Sequence, residues 1–193
     1  MSFYADYIGM VHRALCEVQV TDSNRKLLDR EQGLTLWNEW THELKKNNHT
    51  MYFVGNGASC TMASHMSADA TKNGGIRAKT FNDQSLMTAI GNDIAYDEVF
   101  SFPLNRFGDE GDILVTISSS GNSPNIIKAI EVAVTKKIKV ITLSGMKEDN
   151  KSRAMGDLNF WLPAPYYGVV ESCHQVLLHS WLDNYLFGLG RMI

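Results

Sequence analysis

Apolar side chains recur every three or four positions through the first eighteen residues of the chain. This spacing is typical of an amphipathic helix and predicts one over residues 3–18. A similar pattern predicts a second helix over residues 29–46. The first stripe consists of Tyr4, Tyr7, Ile8, Val11, Leu15 and Val18.

Two short apolar runs each lead into a turn of small polar residues. Residues 51–55 (MYFVG) form the first run and residues 112–118 (DILVTIS) the second. A helical pattern follows each turn, over residues 60–72 and 124–137. Pro124 directly after Ser123 suits the first helical position behind an N-cap, which marks the start of the later helix.

The alternation continues to the end of the chain. Residues 139–145 predict another strand, residues 158–163 a weaker one, and residues 169–186 a closing helix. Alternating strands and helices predict an α/β fold, a three-layer sandwich in which helices cover both faces of a mostly parallel sheet. Because no linker or repeat interrupts the pattern, we expect a single domain over residues 1–193.

Composition narrows the classes of partner. The 193 residues carry 18 Lys and Arg against 21 Asp and Glu, with no cationic block that suits a nucleic acid backbone. Cys16, Cys60 and Cys173 lack a CxxC spacing, so we expect neither a disulfide framework nor a thiolate zinc knuckle, and a cytoplasmic location. No stretch approaches the roughly 20 apolar residues that span a bilayer, so no membrane association is expected.

The two polar turns share a feature that favours anions. Residues 55–59 (GNGAS) and 118–123 (SSSGNS) each follow the carboxyl end of a predicted strand and begin a helix. Free backbone N–H groups and the helix dipole favour negative charge there, and serine hydroxyls add donors. In an open parallel sheet the ligand crevice lies beyond the same strand ends. We therefore predict a phosphate site at these loops.

The same residues also have an ordinary structural explanation, because Ser, Gly and Asn are common turn formers and N-caps. For one loop alone the two explanations are equally open. Three consecutive serines with a fourth at position 123 favour the anion site. Neither loop contains GxxxxGK[ST] or GxGxxG, so we expect no nucleotide cofactor.

Several short motifs, in their order and spacing, resemble those of sugar isomerase (SIS) domains, and within that group those of the bacterial phosphoheptose isomerases. The set is more specific than any one of its members. It comprises residues 55–59, His65 with Asp69, residues 88–93 (TAIGND), 96–100 (YDEVF), 111–114 (GDIL) and 117–123 (ISSSGNS), and Glu171 with His179.

The resemblance implies a five-stranded parallel sheet flanked by helices. It also implies a homotetramer, with the N-terminal helical extension (residues 1–47) in its core and active sites between subunits. The implied ligand is a phosphorylated sugar. Its phosphate would contact Ser118, Ser119, Ser120 and Ser123, and the rest of the substrate would contact Asn56, Ser59, Asp93 and Glu171.

The family's reaction moves a proton between neighbouring carbons through an enediol, converting sedoheptulose 7-phosphate into D-glycero-D-manno-heptose 7-phosphate. Such a reaction requires a base near the carbon-bound proton and a second group that moves protons on the oxygens. Asp69 and His179 fall where the family has its catalytic glutamate and histidine. The resemblance therefore implies that these two residues are catalytic.

Some family members bind zinc, and the corresponding positions here are His65, Asp69, Glu171 and His179. His65 and Asp69 are four residues apart on a predicted helix, so they share a face and can bind one metal ion. Taken alone, such a pair is more often a structural hydrogen bond. Glu171 and His179, which lie far from this pair in the sequence, favour the metal site.

Glu171 and His179 present a geometric difficulty. Eight residues of straight helix separate them by roughly 12 Å, too far for one ion. Either Glu171 lies on a turn before the helix, or the two residues serve one site from two chains of a symmetric oligomer; we favour the second arrangement. For His174, three residues after Glu171, we expect a helix-packing or surface position rather than a place in the site.

Two residues depart from the family pattern, since Asp69 stands for a glutamate and Glu171 for a glutamine. Asp is one methylene shorter, and a shift of about 1 Å at a reacting group can cost about a hundredfold in rate. Two other functions therefore stay open: an isomerase or epimerase of another sugar phosphate, and a non-catalytic binding or regulatory protein. The presence of Asp69 and His179 argues against a non-catalytic protein.

Overall fold

The computed structural model describes residues 2–191 and contains the predicted alternation of strands and helices. Met1, Met192 and Ile193, which the predicted ranges 1–193 and 1–47 include, lie outside the described residues. The helices are α1 (Phe3–Cys16), α2 (Arg30–Lys46), α3 (Ala58–Lys72), α4 (Gln84–Asp93), α5 (Ser101–Phe107), α6 (Pro124–Thr135) and α7 (Tyr167–Gly188). The strands are β1 (Gln19–Asp22), β2 (Leu27–Leu28), β3 (Met51–Gly55), β4 (Ala78–Thr80), β5 (Ile113–Ser118), β6 (Lys139–Gly145) and β7 (Leu158–Leu162).

The sheet has seven strands in the order β2-β1-β7-β6-β5-β3-β4. The five strands from β7 to β4 are mutually parallel, which confirms the mostly parallel α/β sheet. The predicted count of five is exceeded because β1 and β2 form a hairpin that pairs antiparallel with β7. This hairpin covers an edge of the sheet that would otherwise be open.

The first helix ends earlier than its apolar stripe suggests. It ends at Cys16, whose carbonyl accepts a hydrogen bond from Arg30 at 2.8 Å. Val18, predicted on the helical stripe, is instead buried directly before β1. Asp22 accepts backbone hydrogen bonds from Asn24 and Lys26, both at 2.9 Å, and so fixes the turn of the hairpin.

Two apolar cores lie on the two faces of the sheet, as expected for three layers. The larger core packs α1, α2, α3 and α7 on one face, and its centre is a stack of Trp37 on Trp181 with ring centroids 4.8 Å apart. The smaller core packs α4, α5 and α6 on the other face around Phe100 and Ile130. The carboxyl ends of the parallel strands β3 and β5 lie side by side, and the two polar loops begin there.

Replacing Trp181 by Ala is expected to lower the free energy of unfolding by about 3–5 kcal/mol, because it removes a fully buried ring and leaves a cavity. The Trp181 indole N–H also donates a hydrogen bond to Thr41 at 3.1 Å. Urea denaturation measures the loss. Trp40→Ala is the control, since Trp40 is only partly buried and should cost much less. Equal losses in the two variants would contradict the central place given to Trp181.

Candidate active site

The loop between β5 and α6, residues 118–123, has most of its carbonyl groups bonded to other parts of the protein. Four consecutive carbonyl oxygens of this serine loop accept hydrogen bonds from the protein, so none of them needs to face a ligand. The donors are Gly121 N to Ser118 O (3.0 Å), Gly145 N to Ser119 O (3.1 Å), Asn122 Nδ2 to Ser120 O (3.1 Å) and Ser152 N to Gly121 O (3.0 Å).

Donor groups of the same loop remain free. Within residues 2–191, the N–H groups of Ser119, Ser120 and Ser123 have no hydrogen-bond acceptor. The Ser119 hydroxyl is buried without a partner, and the Ser123 hydroxyl does not cap α6 although Ser123 is its N-cap. A buried donor without a partner is unfavourable unless a ligand or water accepts from it. These donors at the N-terminus of α6 suit an anion such as a phosphate.

The second polar loop, after β3, is tied to the serine loop by a pair of asparagines. Asn56 Nδ2 donates to Asn125 Oδ1 at 2.9 Å, and Asn125 Nδ2 donates to Asn56 Oδ1 at 2.8 Å. Gly57 adopts a φ of +55°, and Ser59 is buried in the first turn of α3. One N–H of the Asn56 amide stays available to a substrate. The pair therefore fixes the distance between the two loops.

Sequence reasoning missed Asn125 and the role of Tyr96. The Tyr96 hydroxyl donates to Asn56 Oδ1 at 3.4 Å, next to the bond from Asn125. Lys128 of α6 holds the turn after Tyr96 through ion pairs of 3.0 Å to Asp97 and 2.7 Å to Glu98. The sequence contained a signal for Asn125. This polar residue stands in the buried stripe of α6 that continues four and eight residues later at Ala129 and Ala133.

The helices α3 and α7 bring three predicted residues together. His65 Nε2 lies 3.4 Å from Asp69 Oδ2, and the rings of His65 and His179 have centroids 5.3 Å apart. One ligand atom from each of the three residues lies within 4.8 Å of the others. Two ligands about 2.0–2.1 Å from a tetrahedral zinc ion lie roughly 3.4 Å apart, a separation that His65 and Asp69 match, and all three residues are of types that bind zinc.

Glu171 lies apart from this cluster. It is in the second turn of α7, so the proposal of a turn before the helix is wrong. The eight residues to His179 span regular helix, and Glu171 does not belong to the group formed by His65, Asp69 and His179. Within one chain, therefore, only three of the four predicted metal ligands converge.

Two further residues of the region differ in burial. Asp93 ends α4 in an exposed position, and among residues 2–191 it bonds only to Asn92, at 2.7 Å, rather than to another predicted site residue. His174 is fully buried, so of the two expected positions the helix-packing one is found, and its Nε2 lies 3.3 Å from the Ser144 carbonyl. Burial lowers the pKa of His174 to about 4, so this imidazole is neutral near pH 7.

A cavity of about 650 Å³ borders the serine loop. Its lining includes Ser120 and Asn122 of the loop together with Lys147 and Trp161. Ligand sites commonly have volumes of about 300–1,000 Å³, so this cavity can accept a small phosphorylated molecule.

The sequence profile of the SIS domain matches residues 29–145, more than half of the chain. The matched segment contains both polar loops and the pair His65 and Asp69. The chain belongs to the SIS domain family, and the resemblance stated from its motifs is confirmed.

Within that family the chain is similar to phosphoheptose isomerases. It is 38% identical to the enzyme of Buchnera aphidicola over 140 residues, covering 69% of this chain and 72% of the relative. It is also 38% identical to that of Colwellia psychrerythraea over 147 residues, covering 70% and 75%. A solved phosphoheptose isomerase from Neisseria gonorrhoeae superposes with a TM-score of 0.80 at 31% identity, covering 94% of this chain and 97% of that one.

A second solved structure shows the fold alone. The phosphoheptose isomerase of Francisella tularensis is 22% identical, with a TM-score of 0.82 and coverage of 96% and 98%. In the part of the chain that the structure describes, every helix is too short or too polar to span a bilayer.

Proposed function

We propose that this chain is an aldose–ketose isomerase that converts sedoheptulose 7-phosphate into D-glycero-D-manno-heptose 7-phosphate through an enediol. The observation that carries the proposal is the linkage of two elements at one edge of the sheet. The serine loop offers free donors to a phosphate, and the Asn56–Asn125 pair joins it to the loop that begins α3, the helix of Asp69. The named activity of the relatives supports the same substrate.

Asp69 takes the proton from C1 of the ketose, and the same proton, or one from solvent, is returned to C2. The C2 carbonyl becomes a hydroxyl and C1 becomes the aldehyde, so the reaction is balanced without an oxidant. His179 moves the proton between the two oxygens, a role that suits imidazole near neutral pH. Ser118, Ser119, Ser120 and Ser123 hold the phosphate, while Asn56, Ser59 and Asp93 contact the sugar.

Zinc is the metal that the donor set fits, with His65, Asp69 and His179 from one chain and Glu171 from a neighbouring subunit. When bound, zinc supplies a positive charge that stabilises the negative oxygen of an enediolate. No nucleotide cofactor is needed. Metal analysis of the purified protein, with and without a chelator, tests the occupancy.

The proposed assembly is a homotetramer in the cytoplasm, with residues 1–47 at its centre. The outer face of α1 supports this arrangement, since Phe3 is 80% exposed and Tyr4 73% exposed. Aromatic side chains this exposed are typical of a contact surface. Cys16, Cys60 and Cys173 are all unpaired, which suits a reducing compartment.

The test is incubation of the purified protein with sedoheptulose 7-phosphate in deuterated water, followed by NMR. The expected product is the aldose phosphate with deuterium at C2. Product from another sugar phosphate alone would favour the alternative isomerase or epimerase, which the short side chain of Asp69 keeps open. Absence of product and of exchange with every sugar phosphate, with or without zinc, would favour a binding protein.

A further inference from the structure

A segment outside the predicted site supports the serine loop from behind. Residues 146–154, here called the brace segment, follow β6 and contact the loop before the chain continues to β7. Ser152 N donates to Gly121 O at 3.0 Å, and Lys151 N donates to Asn122 Oδ1 at 3.1 Å. The brace segment thus supplies the hydrogen-bond donors for two acceptors of the serine loop.

Asn150 is the centre of the brace segment. It is only 2% exposed, and both ends of its amide are bonded within the segment and the preceding strand. Its Oδ1 accepts from Ser152 Oγ at 3.2 Å and from Arg153 N at 3.1 Å, and its Nδ2 donates to Lys147 O at 2.8 Å and to Gly145 O at 3.4 Å. A buried amide with four partners holds its surroundings in one conformation.

The same amide lies directly against the loop. Gly121 has a φ of +62°, and a Cβ at that position would overlap Asn150 Oδ1. Glycine is therefore required there for two reasons, the backbone conformation and the contact. This contact determines how closely the serine loop packs on the brace segment.

Arg153 anchors the brace segment to the sheet. Its guanidinium lies 4.3 Å from the centroid of the Trp161 ring and donates to Gln19 Oε1 at 2.7 Å and Glu148 O at 2.9 Å. The support of Asn150 is thus continuous from the hairpin strand β1 to the serine loop.

We infer that Asn150 is a positioning residue that holds the serine loop in its phosphate-binding conformation, and that its loss weakens binding of the phosphate group of the substrate. The inference rests on the proposed function only in taking the loop as the phosphate site. It predicts that loss of Asn150 weakens phosphate binding more than a substitution elsewhere that destabilises the fold by the same amount.

Asn159 provides a matched control. It is also 2% exposed and forms four hydrogen bonds, to Thr142, Gly156 N, Gly156 O and Thr21. It lies in β7, paired with Thr142 of β6, and among residues 2–191 its side chain makes no hydrogen bond to the serine loop. Asn150→Ala and Asn159→Ala therefore remove equivalent side chains, and only the first affects the loop.

The experiment measures the Kd of inorganic phosphate by calorimetry, and the KM and kcat for sedoheptulose 7-phosphate, in both variants. We expect Asn150→Ala to raise the Kd and the KM by about tenfold with a smaller change in kcat, since hydrogen bonds to the phosphate weaken steeply when their donors move out of alignment. Asn159→Ala should leave the Kd within about twofold of the unchanged protein while losing similar stability. An equal Kd in the two variants would overturn the inference.

If Asn150→Ala does not fold, the variant Lys151→Pro provides a second test of the inference. The φ of Lys151 is −65°, which proline adopts, and relative to Lys151→Ala the substitution removes the N–H that donates to Asn122. We expect a weaker Kd for phosphate than in Lys151→Ala, which keeps that N–H. Equal phosphate affinity in these two variants, with normal turnover, would overturn the inference and leave the proposed function intact. Failure of the unchanged protein to turn over the sugar would instead refute the proposed function.

Discussion

Replacing Asp69 by Asn is expected to reduce kcat for the isomerisation by about 10²–10⁴-fold, the usual contribution of a positioned acid–base group. The amide has nearly the shape of the carboxylate but does not accept the proton. Deuterium incorporation into the product should be lost in parallel. NMR in deuterated water measures both quantities in one sample.

Two further variants make the result specific. Asp183→Asn removes a carboxylate from an exposed position of α7, one turn beyond His179, and should leave kcat unchanged. Asp69→Glu restores a carboxylate one methylene longer, the residue that the resemblance leads us to expect, and should retain turnover well above that of Asp69→Asn. Turnover in Asp69→Asn equal to that of the unchanged protein would exclude Asp69 as the base.

Mixing two inactive variants is expected to restore activity if Glu171 serves the site of a neighbouring subunit. Asp69→Asn and Glu171→Ala each damage a different half of the proposed site. In a mixed oligomer formed by co-expression, about a quarter of the sites combine an intact Asp69 with an intact Glu171, so about a quarter of the normal activity should return. The distance along α7 between Glu171 and the metal cluster is the reason for this expectation.

The alternative arrangement predicts a different outcome. If Asp69 and Glu171 acted within the same chain, no site of the mixed oligomer would be intact and the activity would stay at the level of the separate variants. Differently tagged subunits allow the mixed species to be purified before the assay. A Glu171→Ala variant that is fully active on its own would remove Glu171 from the site.

The order of the main elements was predictable because each carries a strong local pattern. The strand at residues 51–55 is fully buried in the structure and reads as a continuous apolar run in the sequence. Ser123 followed by Pro124 located the start of α6 to the residue. Buried strands and helix starts depend on residues that are neighbours in the sequence, so both can be predicted from the sequence.

Short elements at the sheet edges were not predicted. The strand β4 has three residues, AKT, of which none is buried, and β2 has two. Such strands depend on pairing with a neighbour distant in sequence rather than on an apolar pattern of their own. The same reason explains the misassigned Val18, whose side chain is buried whether the backbone is helical or extended.

The candidate site was predictable as a set of residues but not as an arrangement. Motifs placed His65, Asp69, Glu171 and His179 in one group, and the packing of α3 on α7 brings all of them except Glu171 together. The Asn56–Asn125 pair joins residues 69 positions apart, and no local pattern encodes such a contact. Asn150 was missed for the same reason, because its proposed role depends on its contact with Gly121, which is distant in sequence.

The edges of the sheet bear on how this chain behaves at high concentration. A long open edge strand offers unpaired backbone groups to another molecule and promotes aggregation. Here the outermost strands, β2 and β4, have only two and three residues, so neither provides a template for a further strand. We therefore expect contacts between copies to form through helix surfaces, with little tendency toward fibrils while the hairpin of β1 and β2 stays in place.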